Sequence, residues 1–573
     1  MSASSGAAPR TLWPAGGLAT LFEYAARSHR HATAFLLLVS LIAFLPGFFQ
    51  TPPVDRDEPR FAQATKQMIA TGDYVDIRFQ DKVRYKKPIG IYWMQAAAVQ
   101  TLETLGVRDA RTKIVAYRVP SLIGAIGAVL ATYWCALVFA GRRGAILAAL
   151  MMASSLLLCV EARLATTDAM LLFTVVAAMG VLARAYLAPH QAGAARLSWT
   201  LAAIFWTALA AGVLVKGPVI VLCVGLTAVS LSILDRTPRW LMTLRPLAGL
   251  AWLLLLVLPW FVAIYLRTGD AFLADAMTKD VLAKVLSSKE SHSGPPGLYV
   301  ALFFATFYPG SMLAGLTAPG VWAARREPAV RFLLAWLVPS WIFFELIPTK
   351  LPHYVLPLYP AIAILIAAAV QSKTLSQRTW LRLGPIGWWA LPLFLGIAAL
   401  AVAFASHDEF VPLAWPFLVA AIACGALAWR AYAVDGAEAA LLRAAAASIL
   451  FVIAICGFVA PTLKPPSLAL DDVLRQAGCT DPRAVAAGYE EPSLVFLTGS
   501  ETYDNNASKA ADFLQGGGCR FAFIDARLEP YFTARAKAIG LHYQLRPAAA
   551  GFNFSSGDAI IVDVFRASPD PSK

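Results

Sequence analysis

VDRDEPRFAQATKQMIATGDYVDIRFQDKVRYKKPIGIYW, residues 54–93, is a polar segment in a chain that otherwise avoids charge. It follows the first long apolar run directly, opens with an acidic cluster (Asp55, Asp57, Glu58) and closes with a basic one (Arg84, Lys86, Lys87). Pro59 behind Asp57 and Glu58 marks a helix start, because proline suits the first turn and acids suit its positive dipole end. Phe61, Met68 and Ile69 then recur at helical spacing, and Gly72 ends the run. A second amphipathic stretch runs from Pro88 to about Leu105. Both helices are expected to lie along a membrane surface.

The surrounding chain explains why a membrane is invoked. Of its 573 residues, 58% are hydrophobic and 14% charged, against about 25% charged in soluble domains. Its apolar runs approach the roughly 20 residues of a spanning helix, and lipid offers the backbone no other hydrogen-bond partner. The fold class expected is mainly α: a polytopic membrane protein with about thirteen transmembrane helices. They lie near 33–50, 116–139, 144–160, 169–187, 198–215, 217–234, 247–266, 297–322, 332–347, 354–371, 386–405, 411–430 and 441–461. With the N-terminus in the cytoplasm, the inner loops (141–143, 190–197, 235–245, 324–327, 371–382) are rich in Arg and Lys. The long loops 51–115 and 267–296, and the short ones 161–168 and 347–354, then face outward. The net charge of +13 is explained by topology and anionic membrane lipids; no nucleic-acid motif accompanies it. The first apolar run lacks an A-x-A site behind it, so an uncleaved first span is expected.

Two domains are expected: 1–464, spanning the membrane and carrying the outer loops 51–115 and 267–296, and a small α/β domain, 465–573. In the tail, DDVLRQAG, ASKAADFLQ and EPYFTARAKAIG read as helices, and RAVAAGY, SLVFLTG, CRFAFID and AIIVDVFR as strands. The seven cysteines show no metal spacing. Five sit in apolar runs, whereas Cys479 and Cys519 fall in the polar tail and pair if it faces an oxidising compartment.

Three constellations are chemically notable. Asp57, Glu58 and Arg60 are either a capped interfacial helix with solvated charges or part of a reaction site. The second outer loop, EARLATTDAML, carries Glu161, Arg163 and Asp168 at a span end, where carboxylates are uncommon; Asp168 also suits a helix start. Lys86–Lys87–Pro88 is either a pair of lysines reaching the headgroups or a clamp for a phosphate that gains charge as it leaves. Arg267 is a second clamp candidate. PTKLPHYVLPLYPA, residues 348–361, sets Lys350, His353 and Tyr354 among four prolines, which suggests irregular backbone lining a cavity. No cluster names a metal, and a divalent metal requirement stays open.

DEPRFAQ (57–63), RYKKP (84–88), ATTDAML (165–171), VKGP (215–218), PWF (259–261) and TKLPHYVLPLYPA (349–361) resemble, in this order, the bacterial aminoarabinose transferase and protein O-mannosyltransferase group. That group has the GT-C glycosyltransferase fold. The similarity covers about residues 33–370, and within the group it is greatest to the lipid A 4-amino-4-deoxy-L-arabinose transferases. The resemblance implies an inverting transfer of that sugar from undecaprenyl phosphate to lipid A phosphate, at the outer face of the bacterial inner membrane, giving polymyxin resistance. It places catalytic acids at Asp57 and Asp168 with Glu58 beside them. It places the family's lysine before proline at Lys87 and Arg60 beside Asp57; read from their own charge and position, Lys86, Arg84 and Arg267 join these as donor-phosphate contacts, and Asp55, Lys350, His353 and Tyr354 are substrate contacts. The residue before the family's lysine, often Glu in relatives, is Lys86 here. Alternatives are transfer of another sugar to protein or lipopolysaccharide core, and a lipid transporter, which more often shows two related halves.

Overall fold

The computed structural model describes residues 17–53, 57–190, 197–269, 272, 294–407, 411–503, 505–553 and 557–568. Among them, nine helices are long and apolar enough to cross a membrane. A pair bent by 119°, Leu298–Thr306 and Ser311–Ala323, counts as a tenth when the two are taken as one broken span, and two shorter apolar helices, His29–Phe44 and Val219–Leu234, accompany them. The helix Ile114–Ala153 is broken at Gly141, whose φ of 59° and ψ of −173° leave the helical region. Taken as two, it gives one helical segment for each of the thirteen apolar runs.

The elements that shape the outer end follow the sequence closely. The helices used below are α1 (Gly17–Ala26), α2 (His29–Phe44), α3 (Asp57–Thr71), α4 (Gly90–Thr104), α5 (Ile114–Ala153), α6 (Leu156–Glu161), α7 (Asp168–Leu187) and α8 (Trp199–Lys216). Between α3 and α4 lies a small hairpin, β1 (Arg78–Phe79) against β2 (Lys82–Val83). α5 and α7 form the centre of the bundle and pack very closely. A Cβ on Gly124 would sit 2.7 Å from the Cα of Met170, so only glycine allows the crossing. Nearly all of α7 is buried in protein, and the lipid-facing surface is carried by peripheral helices such as Pro246–Thr268.

The tail builds a five-stranded sheet in the order β4-β3-β5-β7-β6. Here β3 is Arg483–Ala487, β4 Glu501–Thr502, β5 Arg520–Asp525, β6 Tyr543–Phe552 and β7 Ala559–Ala567. β3 runs parallel to β4 and β5, while β7 is antiparallel to β5 and β6. Successive residues of β5 serve opposite cores: Phe521 and Phe523 pack with Leu470 and Val562, and Ala522 and Ile524 with Leu514 and Phe532. Cys479 and Cys519 are joined by a disulfide.

Two expectations are corrected. SLVFLTG is a helix, Pro492–Thr498: Pro492 pre-sets the first turn and Gly499 closes it at a φ of 69°. That helix also changes the setting of α3, which packs beneath it rather than lying on a membrane surface alone. Lys66 of α3 donates to the Phe496 carbonyl at 2.9 Å, and Tyr117 meets the Phe496 ring edge-on.

Candidate active site

The site begins with a buried ion pair. Glu58, in the first turn of α3, accepts from Arg118 of α5 at 2.6 and 2.9 Å. The same guanidinium donates to the carbonyls of Phe48, Thr51 and Pro52, so it ties the end of the first apolar segment to α3. Glu58 also accepts the Ala165 N–H at 2.9 Å. The Ala165 and Thr166 carbonyls take hydrogen bonds from Gln95 and Ser121. Hydrogen bonds thus hold the short 163–167 loop from three helices. Arg163 turns inward and donates to the Ala43 and Pro46 carbonyls at the end of α2, a cation at the negative end of a helix.

That loop aims two acids at one place. Asp168 is the first residue of α7 and Lys216 the last of α8, positions that suit an acid and a base by the helix dipole alone. The Lys216 ammonium donates to the Asp168 carboxylate, and both residues are buried. His353 lies between the two acids, its Nδ1 3.5 Å from Glu161 and its Nε2 3.8 Å from Asp168. Thr166 donates to Glu161 at 3.0 Å. The Tyr354 ring faces Lys216, with the ammonium 5.5 Å from its centre.

A second segment joins them because α4 crosses α8 at a glycine. A Cβ on Gly90 would lie 2.7 Å from the Leu214 carbonyl oxygen. With hydrogen there instead, the RYKKPIG stretch seats on the end of α8, whose last residue is Lys216. Lys87 and Lys216, from motifs far apart in the sequence, are thereby carried on two segments that touch.

The family model described as dolichyl-phosphate-mannose-protein mannosyltransferase matches residues 89–272. The undecaprenyl phosphate-alpha-4-amino-4-deoxy-L-arabinose arabinosyl transferase of Pseudomonas aeruginosa (strain LESB58) is 29% identical over 382 residues, 65% of this chain and 65% of its own length. The protein of the same name from Pseudomonas paraeruginosa is 30% identical over 63% of this chain and 64% of its own. The chain therefore spans just under two thirds of the length of these relatives. The crystal structure of ArnT from Cupriavidus metallidurans in the apo state matches with a TM-score of 0.73 and 18% identity, over 94% of this chain and 99% of that one. The chain has the ArnT fold. ArnT bound to undecaprenyl phosphate matches it at 0.71, with 19% identity, over 95% and 100% of the two chains. The resemblance carried by the motifs holds.

Within this ArnT fold the sequence-derived residues are distributed unevenly. Asp57 is exposed at the start of α3, with Arg60 one turn on and 3.7 Å from it. Arg84 stacks over the Phe61 ring at 5.1 Å. Both Arg84 and Asp57 act on the Tyr92 hydroxyl, whose pKa burial raises. His353 and Tyr354 join Asp168, and Lys86 is exposed beside the half-buried Lys87. Three residues are engaged elsewhere. Glu58 is enclosed by Arg118, and Arg267 pairs with Asp73. Lys350 caps the helix Pro328–Leu346 by donating to the Glu345 and Ile347 carbonyls at 2.6 and 3.3 Å. Asp55 lies outside the described residues. Among those described, no group of three or more His, Cys, Asp or Glu is set to hold a metal ion.

Lys216 and Arg118 were not anticipated as site residues. Each is a lone cation in or at the end of an apolar run, and that isolation was the available signal.

Proposed function

We propose that the protein transfers 4-amino-4-deoxy-L-arabinose from undecaprenyl phosphate to a lipid A phosphate, with inversion, at the outer face of the bacterial inner membrane. The observation that carries this is the meeting of Asp168, Lys216, His353 and Glu161, with Lys87 on the segment that seats against α8. The names of the relatives supply the sugar and the carrier; the acceptor follows from the motif resemblance.

The chemistry follows from charge. Cleavage of the C1–O bond leaves the carrier phosphate more negative and the sugar oxocarbenium-like. Lys87 holds the donor phosphate, Lys216 stands beside it, and Arg60 and Arg84 extend the positive rim. Fixed cations in a site shielded from water stabilise such developing charge strongly. Asp57 faces the positive sugar carbon, and Asp168 orients Lys216 and His353. A lipid A phosphate, with a second pKa of about 6, is already nucleophilic near neutrality. The carboxylates therefore serve electrostatics and binding of the sugar amine more than proton removal. Residues 465–573 are proposed as a separate α/β domain seated on the outer loops of the domain 1–464.

The test is mass spectrometry of lipid A from a polymyxin-sensitive host lacking its own transferase, with and without this protein and its Asp57→Ala and Lys87→Ala variants. An added aminopentose that disappears in both variants supports the assignment. Unmodified lipid A, with the protein folded and abundant, removes it.

A further inference from the structure

A cleft of about 480 Å³ opens between the β1–β2 hairpin and the C-terminal sheet. Of its lining, only Arg60 also figures in the donor-phosphate chemistry proposed above. Its lining carries planar amides (Asn505, Asn553), a hydroxyl (Thr502), one aromatic ring (Phe79) and charges of both signs, including Lys82 and Glu491. Amides and carboxylates that donate and accept side by side suit a ring bearing several hydroxyls, and a lysine suits a phosphate. The volume lies within the range of ligand sites.

The walls are built and held rather than merely adjacent. Gln80 has a φ of 55° and Asn505 one of 56°, left-handed conformations that side-chain-bearing residues seldom adopt. Such backbone persists where surrounding contacts over-determine it, commonly at ligand clamps. Gln67 takes both backbone groups of Gln80, at 3.0 and 2.8 Å. The Gln80 side chain crosses the junction, donating to the Ser500 carbonyl at 2.7 Å and accepting from Thr502 at 3.1 Å. The Asn505 N–H is likewise held by Glu490 at 3.2 Å. The cleft also communicates with the chemistry, because Arg60 on its wall is 3.7 Å from Asp57.

We propose that this cleft is the acceptor subsite and takes the phosphorylated amino-sugar headgroup of a glycolipid. Lys82 meets a phosphate, and Asn505, Asn553 and Glu491 meet ring hydroxyls and nitrogen. The acceptor is thereby held with a phosphate oxygen turned toward Asp57. This deepens the function proposed above and rests on it for the identity of the acceptor.

The experiment uses the full chain in detergent and titrates it calorimetrically with a deacylated, bisphosphorylated glucosamine disaccharide. Unphosphorylated disaccharide and inorganic phosphate are the controls. Asn553→Ala and Lys82→Ala should each weaken the probe by about tenfold while undecaprenyl phosphate binds as before. In turnover they should raise the acceptor KM and leave kcat unchanged. Equal binding by wild type and variants, or inorganic phosphate binding as tightly as the probe, overturns the subsite. Loss of probe binding in the variants, in a protein that never modifies lipid A in cells, keeps the subsite and removes the transfer reaction instead. Lipid A modification with unaltered acceptor KM in both variants does the reverse.

Discussion

Arg118 grips Glu58 through two hydrogen bonds of 2.6 and 2.9 Å, and neither side chain is reached by solvent. The pair lies beneath the exposed Asp57 and fixes where α3 begins. Removing one partner strands the other charge in a dry interior, which costs about 3–5 kcal/mol. Arg118→Ala should therefore lower the melting temperature sharply and cut the yield of monodisperse protein, as size-exclusion chromatography and thermal unfolding would register. Glu58→Ala should match it. If either variant melts like wild type, the pair is not structural.

Asp168 and Lys216 should behave as one unit. Asp168→Asn and Lys216→Met are each expected to lower the kcat of the folded protein by about a hundredfold or more, and to lower the melting temperature as well, because each leaves a buried charge without its partner. The double variant should lose little beyond the worse single one, since each change already breaks the same interaction. Steady-state kinetics on the four proteins gives the coupling; full additivity would separate the two roles.

Gly90→Ala should act through geometry. The added methyl meets the Leu214 carbonyl, a backbone atom that cannot swing aside, and α4 must move off α8. Donor KM should rise because Lys87 moves with α4. An unchanged donor KM would show that Lys87 does not depend on this crossing.

The Arg267–Asp73 pair carries a pH signature. Burial raises the Asp73 pKa, but the Val75 and Asp76 N–H groups and Arg267 outweigh it and hold the carboxyl below its ordinary value of 3.8. A depressed folded pKa means the contribution is complete above about 3.8 and fades as pH falls through the lower folded value. The difference in melting temperature between wild type and Asp73→Asn should stay constant from pH 8 to 5 and shrink in stronger acid. A difference that grows on acidification would contradict this.

The cysteines can be counted chemically. Seven are present and Cys479 and Cys519 are paired, so denatured protein should take up five maleimides before reduction and seven after. Cys479→Ser should destabilise the tail by roughly 2–4 kcal/mol. Seven labels without reductant would place the tail in a reducing compartment.

Much of the fold was legible because spanning helices declare themselves by length and hydrophobicity, and α3 because Asp57, Glu58 and Pro59 form a helix start. The acids at 161 and 168 were visible as charges at a span end. Their partners were not: polarity marks Lys216 as unusual but carries no record of which loop it meets across a bundle. SLVFLTG was misread because its apolar run suits a strand, while Pro492 and Gly499 at its ends set a single helical segment. β6 was missed because YQLRPAAAGF holds a proline and small residues. It sits at the sheet edge with a register shift between Arg546 and Ala549, where proline is tolerated.

The spread of the cluster along the chain has a consequence for biosynthesis. Glu161 and His353 are about 190 positions apart, and a chain enters the membrane from its N-terminus onward. The Glu58–Arg118 anchor can close early, when only the first helices have emerged. The ring of Glu161, Asp168, Lys216 and His353 closes only after the proline-rich segment has been delivered. The cluster is therefore incomplete until insertion is well past the midpoint, and in a prematurely terminated chain it never forms.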